Sequence, residues 1–390
     1  MKKLYVLTSL FSIILISSQT FIQTYQDRAN QVSQANINTY LTEFASYGVK
    51  KTGTIANENA LAWLKNKYVS FGYAPSDIVE DPFSVGATNS KNLVVTKTGT
   101  LYPNTFVIIC GHFDTIAGPG VNDNGSGVSI ILEIARILKN VPTDYSIKFI
   151  NFSGEEQGLD GSYHYVNNVV NATNPKMDIR LVFNIDEVGG VAGMVNNTIF
   201  CDSDQSAPSF NNAASQQITQ ELANCTELYS SLFTDFDPAY NSDYVPFQQN
   251  GEVITGFYEH NISTKPHTPN DTYVNMDPVY VFNVGKAAVG AAQHFAVASV
   301  VNLSVVDCTP EKQLESLQIY PNPAKDHINI EMINQNITKY NLVITDATGR
   351  IVLQSKNESM INVSSLSNGV YFGTFSIGEV KIIKKIIIAK

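Results

Sequence analysis

The chain has only four cysteines in 390 residues, Cys110, Cys201, Cys225 and Cys308, and no two of them form a C-x-x-C pair. That spacing excludes a zinc-thiolate cluster. A Cys201–Cys225 disulfide stays open, since an oxidising compartment permits one and spacing alone cannot establish it. Cys110 ends an apolar run and is expected to be buried. Basic charge is also in short supply: 25 Lys and Arg stand against 35 Asp and Glu, a net charge of −10. The basic residues are scattered rather than striped, so the chain carries no electrostatic footprint for nucleic acid. It lacks a G-x-S-x-G nucleophile elbow, a Gly-rich phosphate loop and a dinucleotide fingerprint, which argues against serine-based and nucleotide-dependent chemistry. There is no internal repeat and no low-complexity tract.

Long apolar runs are equally scarce. The one at residues 4–16 follows Lys2 and Lys3 and ends at Ser17 and Ser18. It is shorter than the ~20 residues a bilayer requires, so residues 1–18 read as a cleaved secretory signal peptide. No later segment could span a membrane, and the mature form is expected to have no transmembrane segment.

What remains is too long for one ordinary core and suits a large domain with a small module attached. Continuous β-branched and aromatic runs at 92–96, 106–110, 147–152, 181–185 and 253–258 predict strands buried on both faces. Helical periodicity appears at 59–69, 127–138 and 279–297, the second carrying Val128, Ile131, Leu132, Ala135 and Leu138. Strands separated by helices imply a layered α/β domain with a largely parallel sheet, placed at 35–302. Residues 19–34 would be an amino-terminal extension or propeptide. Residues 303–316 read as a linker, and 317–390, with short alternating strands and a turn at Thr348-Gly349, as a small β-sandwich.

In such sheets functional groups collect beyond the carboxyl ends of the strands. His112 follows the run ending at Cys110, Glu155 and Glu156 follow the run ending near Ser153, and Asp186 closes the run from Leu181. Asp123 lies on the glycine-rich stretch G-V-N-D-N-G-S-G, and His267 in P-H-T-P-N-D-T. Taken singly, Asp123-Asn124-Gly125 is a turn and Glu155-Glu156 a solvated helix start. Together, imidazoles and carboxylates in this order suit two zinc ions sharing a carboxylate. Asp123 is assigned as the bridge, His112 and Asp186 to one ion, Glu156 and His267 to the other, and Glu155 as general base toward the water between them. Asp114 is expected to accept a hydrogen bond from the His112 ring, and Asp271 to do the same for His267. His164, His260, His294 and His327 read as structural or surface residues.

At G-H-F-D, G-V-N-D-N-G-S-G, G-E-E-Q-G-L-D-G-S, N-I-D-E and H-T-P-N-D-T the chain resembles the secreted di-zinc aminopeptidases of the bacterial leucyl aminopeptidase type, over roughly residues 40–300. The resemblance implies a three-layer zinc-exopeptidase fold with a mixed, mostly parallel central sheet. It also implies two co-catalytic zinc ions and removal of amino-terminal residues from peptides, bulky apolar ones by default. Its roles for His112, Asp123, Glu155, Glu156, Asp186 and His267 agree with those given above. One departure is S-D-Y at Ser242, Asp243 and Tyr244, where many relatives have a histidine in the third place. Tyr240 and Tyr244 are both candidates for stabilising an oxyanion.

Glutaminyl cyclases of the same superfamily are the alternative enzyme reading. They carry tryptophan around the pocket, including before the last metal histidine, where this chain has Pro266; its single tryptophan is Trp63. A peptidase-like binding domain without catalysis is a third reading. From Y-P-N-P, D-A-T-G-R, S-N-G-V-Y and the Lys-rich end, residues 317–390 resemble the carboxyl-terminal sorting domain of type IX secretion. That implies export through the corresponding translocon of a Gram-negative bacterium, to the surface or exterior.

Overall fold

The computed structural model describes residues 19–300, 317–332 and 340–390. The expected signal peptide at 1–18, the linker at 303–316 and Cys308 lie outside the described residues. The chain divides into two compact units, residues 1–302 and 303–390.

In the first unit, helices α1 (Gln23–Ala29), α2 (Gln34–Ser46) and α3 (Ile55–Ser70) precede strands β1 (Ile78–Val85), β2 (Thr88–Lys97) and β3 (Tyr102–His112). There follow α4 (Gly125–Leu138), β4 (Tyr145–Phe152), α5 (Asp160–Tyr165), β5 (Asp178–Ile185) and β6 (Thr198–Ser203). The unit closes with α6 (Asn212–Tyr229), β7 (Phe233–Pro238), α7 (Val245–Gln249), β8 (Ile254–Glu259) and α8 (Pro278–Phe295). The strands form one eight-stranded sheet in the order β1-β2-β4-β3-β5-β8-β6-β7. Its centre, β4-β3-β5-β8, is parallel, with antiparallel pairing at β1-β2, β2-β4 and β8-β6. This is the mixed, mostly parallel α/β sheet that the sequence predicts.

The continuous apolar spelling of the central strands follows from burial on both faces, because successive side chains alternate sides. On β3, Val107 and Ile109 join the core formed with α4 and α8, while Ile108 and Cys110 join a second core with Tyr165, Val166 and Phe247. Since β3, β4 and β5 run parallel, their carboxyl ends meet at one edge of the sheet. Helix α4 starts there, capped by the Asn124 carboxamide, whose Oδ1 accepts from the Gly127 N–H at 2.9 Å.

Cys110, Cys201 and Cys225 are all buried and free, so the Cys201–Cys225 bridge does not form. No helix among the described residues is long and apolar enough to cross a membrane.

The segment 19–34 packs into the first unit. Tyr25, Ala29 and Val32 belong to its main core. The Tyr25 hydroxyl donates to the Ala298 carbonyl at 2.5 Å and Arg28 to the Ser299 carbonyl at 2.8 Å. The Ser33 N–H donates to the buried Glu133 carboxylate, which also holds Arg136. At the start of the segment the Ile22 N–H donates to the Tyr229 hydroxyl, itself 2.8 Å from His294 Nε2.

In the second unit, β9 (Leu317–Tyr320), β10 (His327–Met332), β11 (Asn341–Thr345), β12 (Ile351–Lys356), β13 (Met360–Asn362), β14 (Gly369–Ile377) and β15 (Val380–Ile388) form two antiparallel sheets, β13-β10-β9 and β12-β11-β14-β15. Ile328 and Ile330 from one sheet share a core with Leu342, Ile344, Phe375 and Ile386 from the other. Gly349, at φ +84°, occupies the left-handed position of the expected turn.

Two outcomes follow for the amino-terminal segment. Deleting residues 19–33 uncovers the α8 side of the core and is expected to lower Tm by roughly 10 °C; an unchanged Tm in calorimetry would show the segment to be dispensable. Burial lowers the His294 pKa from its usual 6.5 to about 4. The native state therefore keeps this ring neutral while the unfolded chain protonates. Its contribution is full above pH 6.5 and is lost as pH falls toward 4, by about 1–2 kcal/mol after allowance for solvent screening. Denaturant titrations at pH 7 and pH 4.5 should show a smaller difference for His294→Gln than for the wild type.

Candidate metal centre

Six polar side chains meet at the carboxyl edge of the sheet because the strands that carry them end together. His112 is the last residue of β3, Glu155 and Glu156 lie just beyond β4, and Asp186 follows β5. Asp123 comes from the loop before α4, and His267 from the loop after β8, where it holds a left-handed φ of +57°. His112 Nε2 lies 3.2 Å from Asp186 Oδ1 and 3.1 Å from Asp123 Oδ1. His267 Nε2 lies 3.1 Å from Asp123 Oδ2 and 2.9 Å from Glu156 Oε2. Two triads therefore share one carboxylate: His112, Asp123 and Asp186, then Asp123, Glu156 and His267. In each, the donor atoms lie within 4.8 Å of one another. Glu155 stands beside them, its Oε2 4.0 Å from His112 Nε2.

All of these groups except His267 are supported from behind, directly or through their loops. His112 Nδ1 is 3.1 Å from the main-chain carbonyl of Asp114, which can only accept. Nδ1 thus carries a proton, and Nε2 is the ring nitrogen that faces the triad. The Asp114 carboxylate, expected to hold the imidazole, is 3.7 Å from Nδ1. It instead accepts from the N–H groups of Glu155 and Glu156 at 3.2 and 3.4 Å and from the Thr52 hydroxyl. The residue orients its histidine through its backbone and the two glutamates through its side chain.

Asp271 also differs from expectation. The turn from Lys265 to Asp271 aims its carboxylate at the Asp123 loop, where it accepts from the Asn122 and Asp123 N–H groups at 2.8 and 3.0 Å. It supports Asp123 rather than His267. Ser242, which carried no role in the sequence reading, donates to Asp186 Oδ2 at 2.7 Å and accepts from Asn184. Its place in the S-D-Y motif was the signal that could have found it. Lys50, buried beneath the same loops, donates to the carbonyls of Phe44, Gly48 and Pro119. Gly127 is required where α4 crosses the end of β5, since a Cβ there would sit 2.1 Å from the Ile185 carbonyl oxygen.

The electrostatics show how strongly like charge is compressed. Burial raises the Glu155 pKa to about 10; His112 opposes this, and Asp186 and Asp243 add to it. Burial likewise raises Glu156 to about 8, with Asp123 contributing. Burial alone would lower the His112 pKa, but Asp186, Glu155 and Asp123 hold it well above the usual range. Asp123 is lowered to about 2 against its burial by the two histidines. Its Oδ2 is nonetheless a buried oxygen without a hydrogen bond among the described residues. A divalent cation in each triad would supply the missing positive charge, and nitrogen and carboxylate donors are those zinc accepts.

These groups line a cavity of about 340 Å³, together with Glu187, Tyr240 and Asn241. The two tyrosine candidates separate cleanly. Tyr244 is fully buried, its hydroxyl donating to Asp202 and accepting from the Tyr240 N–H. The Tyr240 hydroxyl has no hydrogen-bond partner among the described residues and belongs to a cavity-lining side chain.

Residues 92–292 match peptidase family M28. The chain belongs to that family. Residues 318–389 match the secretion system C-terminal sorting domain, which makes the tail an export signal and the chain a secreted protein. Among curated relatives, aminopeptidase YwaD of Bacillus subtilis is 32% identical over 194 residues, 47% of this chain and 40% of that protein. A probable leucine aminopeptidase 2 of Aspergillus fumigatus is 34% identical over 169 residues, 42% of this chain and 32% of that one. This chain thus spans less than half the length of these relatives. Among solved structures, the LapA aminopeptidase of Legionella pneumophila aligns with a TM-score of 0.63 at 22% identity, over 76% of this chain and 80% of that one. A glutaminyl cyclase of Macrostomum lignano aligns with a TM-score of 0.62 at 13% identity, over 73% and 98%. Both likenesses establish the fold and do not discriminate between the two activities.

The Asp114 geometry has a measurable consequence. Asp114→Asn removes the charged acceptor from behind Glu155 and Glu156 and is expected to weaken zinc binding about 10–100-fold in chelator competition, with the fold intact by circular dichroism. Unchanged zinc affinity would leave the carboxylate no part in holding the site.

Proposed function

We propose that this chain is a secreted zinc aminopeptidase with two zinc ions, hydrolysing the amino-terminal residue from peptides. The observation that carries this reading is the shared Asp123, whose two oxygens each face a histidine and a second carboxylate. His112 and Asp186 would hold one ion, Glu156 and His267 the other. Zinc bound there would supply Lewis acidity toward the scissile carbonyl and lower the pKa of a coordinated water.

The remaining work belongs to the chain itself. Glu155, next to a proposed ligand yet outside both triads, would take the proton from the attacking water and return it to the leaving amine. Its carboxylate stands 4.0 Å from His112 Nε2, beside both triads and within reach of a water held there. The free hydroxyl of Tyr240 would donate to the carbonyl oxygen as negative charge builds there. Ser242 and Asn184 would keep Asp186 from turning away, and Asp271 would keep the Asp123 loop at its distance. The β-sandwich tail would be read by the type IX translocon during export.

The cyclase fold likeness makes that activity the competing reading. Support for the peptidase is the complete pair of triads and a cavity that no tryptophan lines; Trp63 sits on α3 against Phe44, ring centroids 6.1 Å apart. Glu155→Gln should keep the zinc content of the wild type and lose roughly 10²–10⁴-fold in kcat on aminoacyl arylamides. A variant retaining most of the wild-type kcat would remove the proposed base. Release of ammonia from glutaminyl peptides, with no free amino acid, would favour the cyclase.

A further inference from the structure

One carboxylate in the cavity takes no part in either triad or in the proton path. Glu187 follows Asp186 and holds a left-handed φ of +43°, uncommon for a side chain of its length. The backbone there is pinned. Its carbonyl accepts from the Glu259 N–H at 3.0 Å, and the Glu259 carboxylate accepts from the Gly190 and Ser263 N–H groups and from Asn122. The Glu187 side chain lines the cavity, half-buried, and its carboxylate makes no hydrogen bond or ion pair among the described residues. Among the described residues no lysine or arginine lines the cavity to balance it. An aromatic ring adjoins it: Tyr240 lines the same cavity and packs on Tyr258 with ring centroids 4.5 Å apart.

Resting on the aminopeptidase reading, we infer that Glu187 is a specificity-determining residue that receives a cationic group of the substrate, giving preference to peptides whose first residue is lysine or arginine. An apolar side chain filling this space would strip water from a carboxylate and offer no partner in return, which is costly. An ammonium or guanidinium would pair with it, and the Tyr240 ring adds attraction for a cation. The default of a bulky apolar first residue would then not hold here. The substrate α-ammonium offers the same chemistry, but every aminopeptidase substrate carries it, so it cannot alter preference among side chains.

Lysine and norleucine p-nitroanilides separate the two sources, because norleucine has the same four-carbon side chain and lacks only the terminal ammonium. For the zinc-loaded full chain, kcat/KM should favour lysine by about tenfold or more. In Glu187→Gln the lysine-to-norleucine ratio should fall at least tenfold, the scale of one charge-assisted hydrogen bond. Free L-lysine should also lose its advantage over L-norleucine as a competitive inhibitor, an effect that a general loss of folding would not produce. A ratio unchanged by the substitution, or an equal loss on both substrates, would overturn the inference; the second result would assign Glu187 to the α-ammonium. Wild-type protein inactive on every aminoacyl arylamide would instead bring down the aminopeptidase reading itself.

Discussion

The structure is organised around a surplus of negative charge that its own residues cannot neutralise. Asp123, Glu155, Glu156, Asp186 and Glu187 converge on one cavity with only His112 and His267 as counter-groups. Two like charges a few ångströms apart in a partly desolvated site repel by several kcal/mol even at an effective dielectric of about 20. Such a constellation persists in a fold only if something divalent occupies it or protons do. Asp123 is the hinge of the arrangement, since each of its oxygens belongs to a different triad. Losing it would break both at once.

Holding those carboxylates together falls to a layer of buried acceptors and backbone groups behind them. Asp114 and Asp271 lie outside both triads; their carboxylates gather N–H groups from the loops that carry Glu155, Glu156 and Asp123. Glu259 does the same for the stretch after Asp186, and Asn124 ties the start of α4 to the end of β5. Each pairing satisfies a buried backbone donor or, at Ile185, a carbonyl acceptor that would otherwise be left unpaired. These bonds fix the paths of the loops, as a preorganised site requires.

How much of this could be read in advance depended on what each segment buries. Strands β2, β3, β4, β5 and β8 are legible because burial on both faces spells them as runs of Val, Ile, Leu and Phe, and the polar residue ending such a run falls at the carboxyl edge. The sequence alone therefore groups His112, Glu155, Glu156 and Asp186 at that edge. Strand β7 was not legible, because it is an exposed edge whose Phe233 and Phe236 face solvent. Helix α6 escaped notice since its sequence is rich in Gln, Asn, Ser and Thr, with only a thin apolar stripe. The supporting roles of Asp114, Asp271 and Ser242 depend on loop paths several residues long, and no periodicity encodes those. Tyr240 and Tyr244 were equivalent in sequence; a hydrogen bond to Asp202, far along the chain, is what occupies one and frees the other.

The central claim is that Asp123 joins two cation sites. Crystals grown with zinc and measured at the zinc absorption edge test it directly. The account predicts two anomalous peaks about 3.5–4 Å apart, one beside each oxygen of Asp123, the first bounded by His112 and Asp186 and the second by Glu156 and His267. A single peak, or two peaks that do not share Asp123, would contradict it.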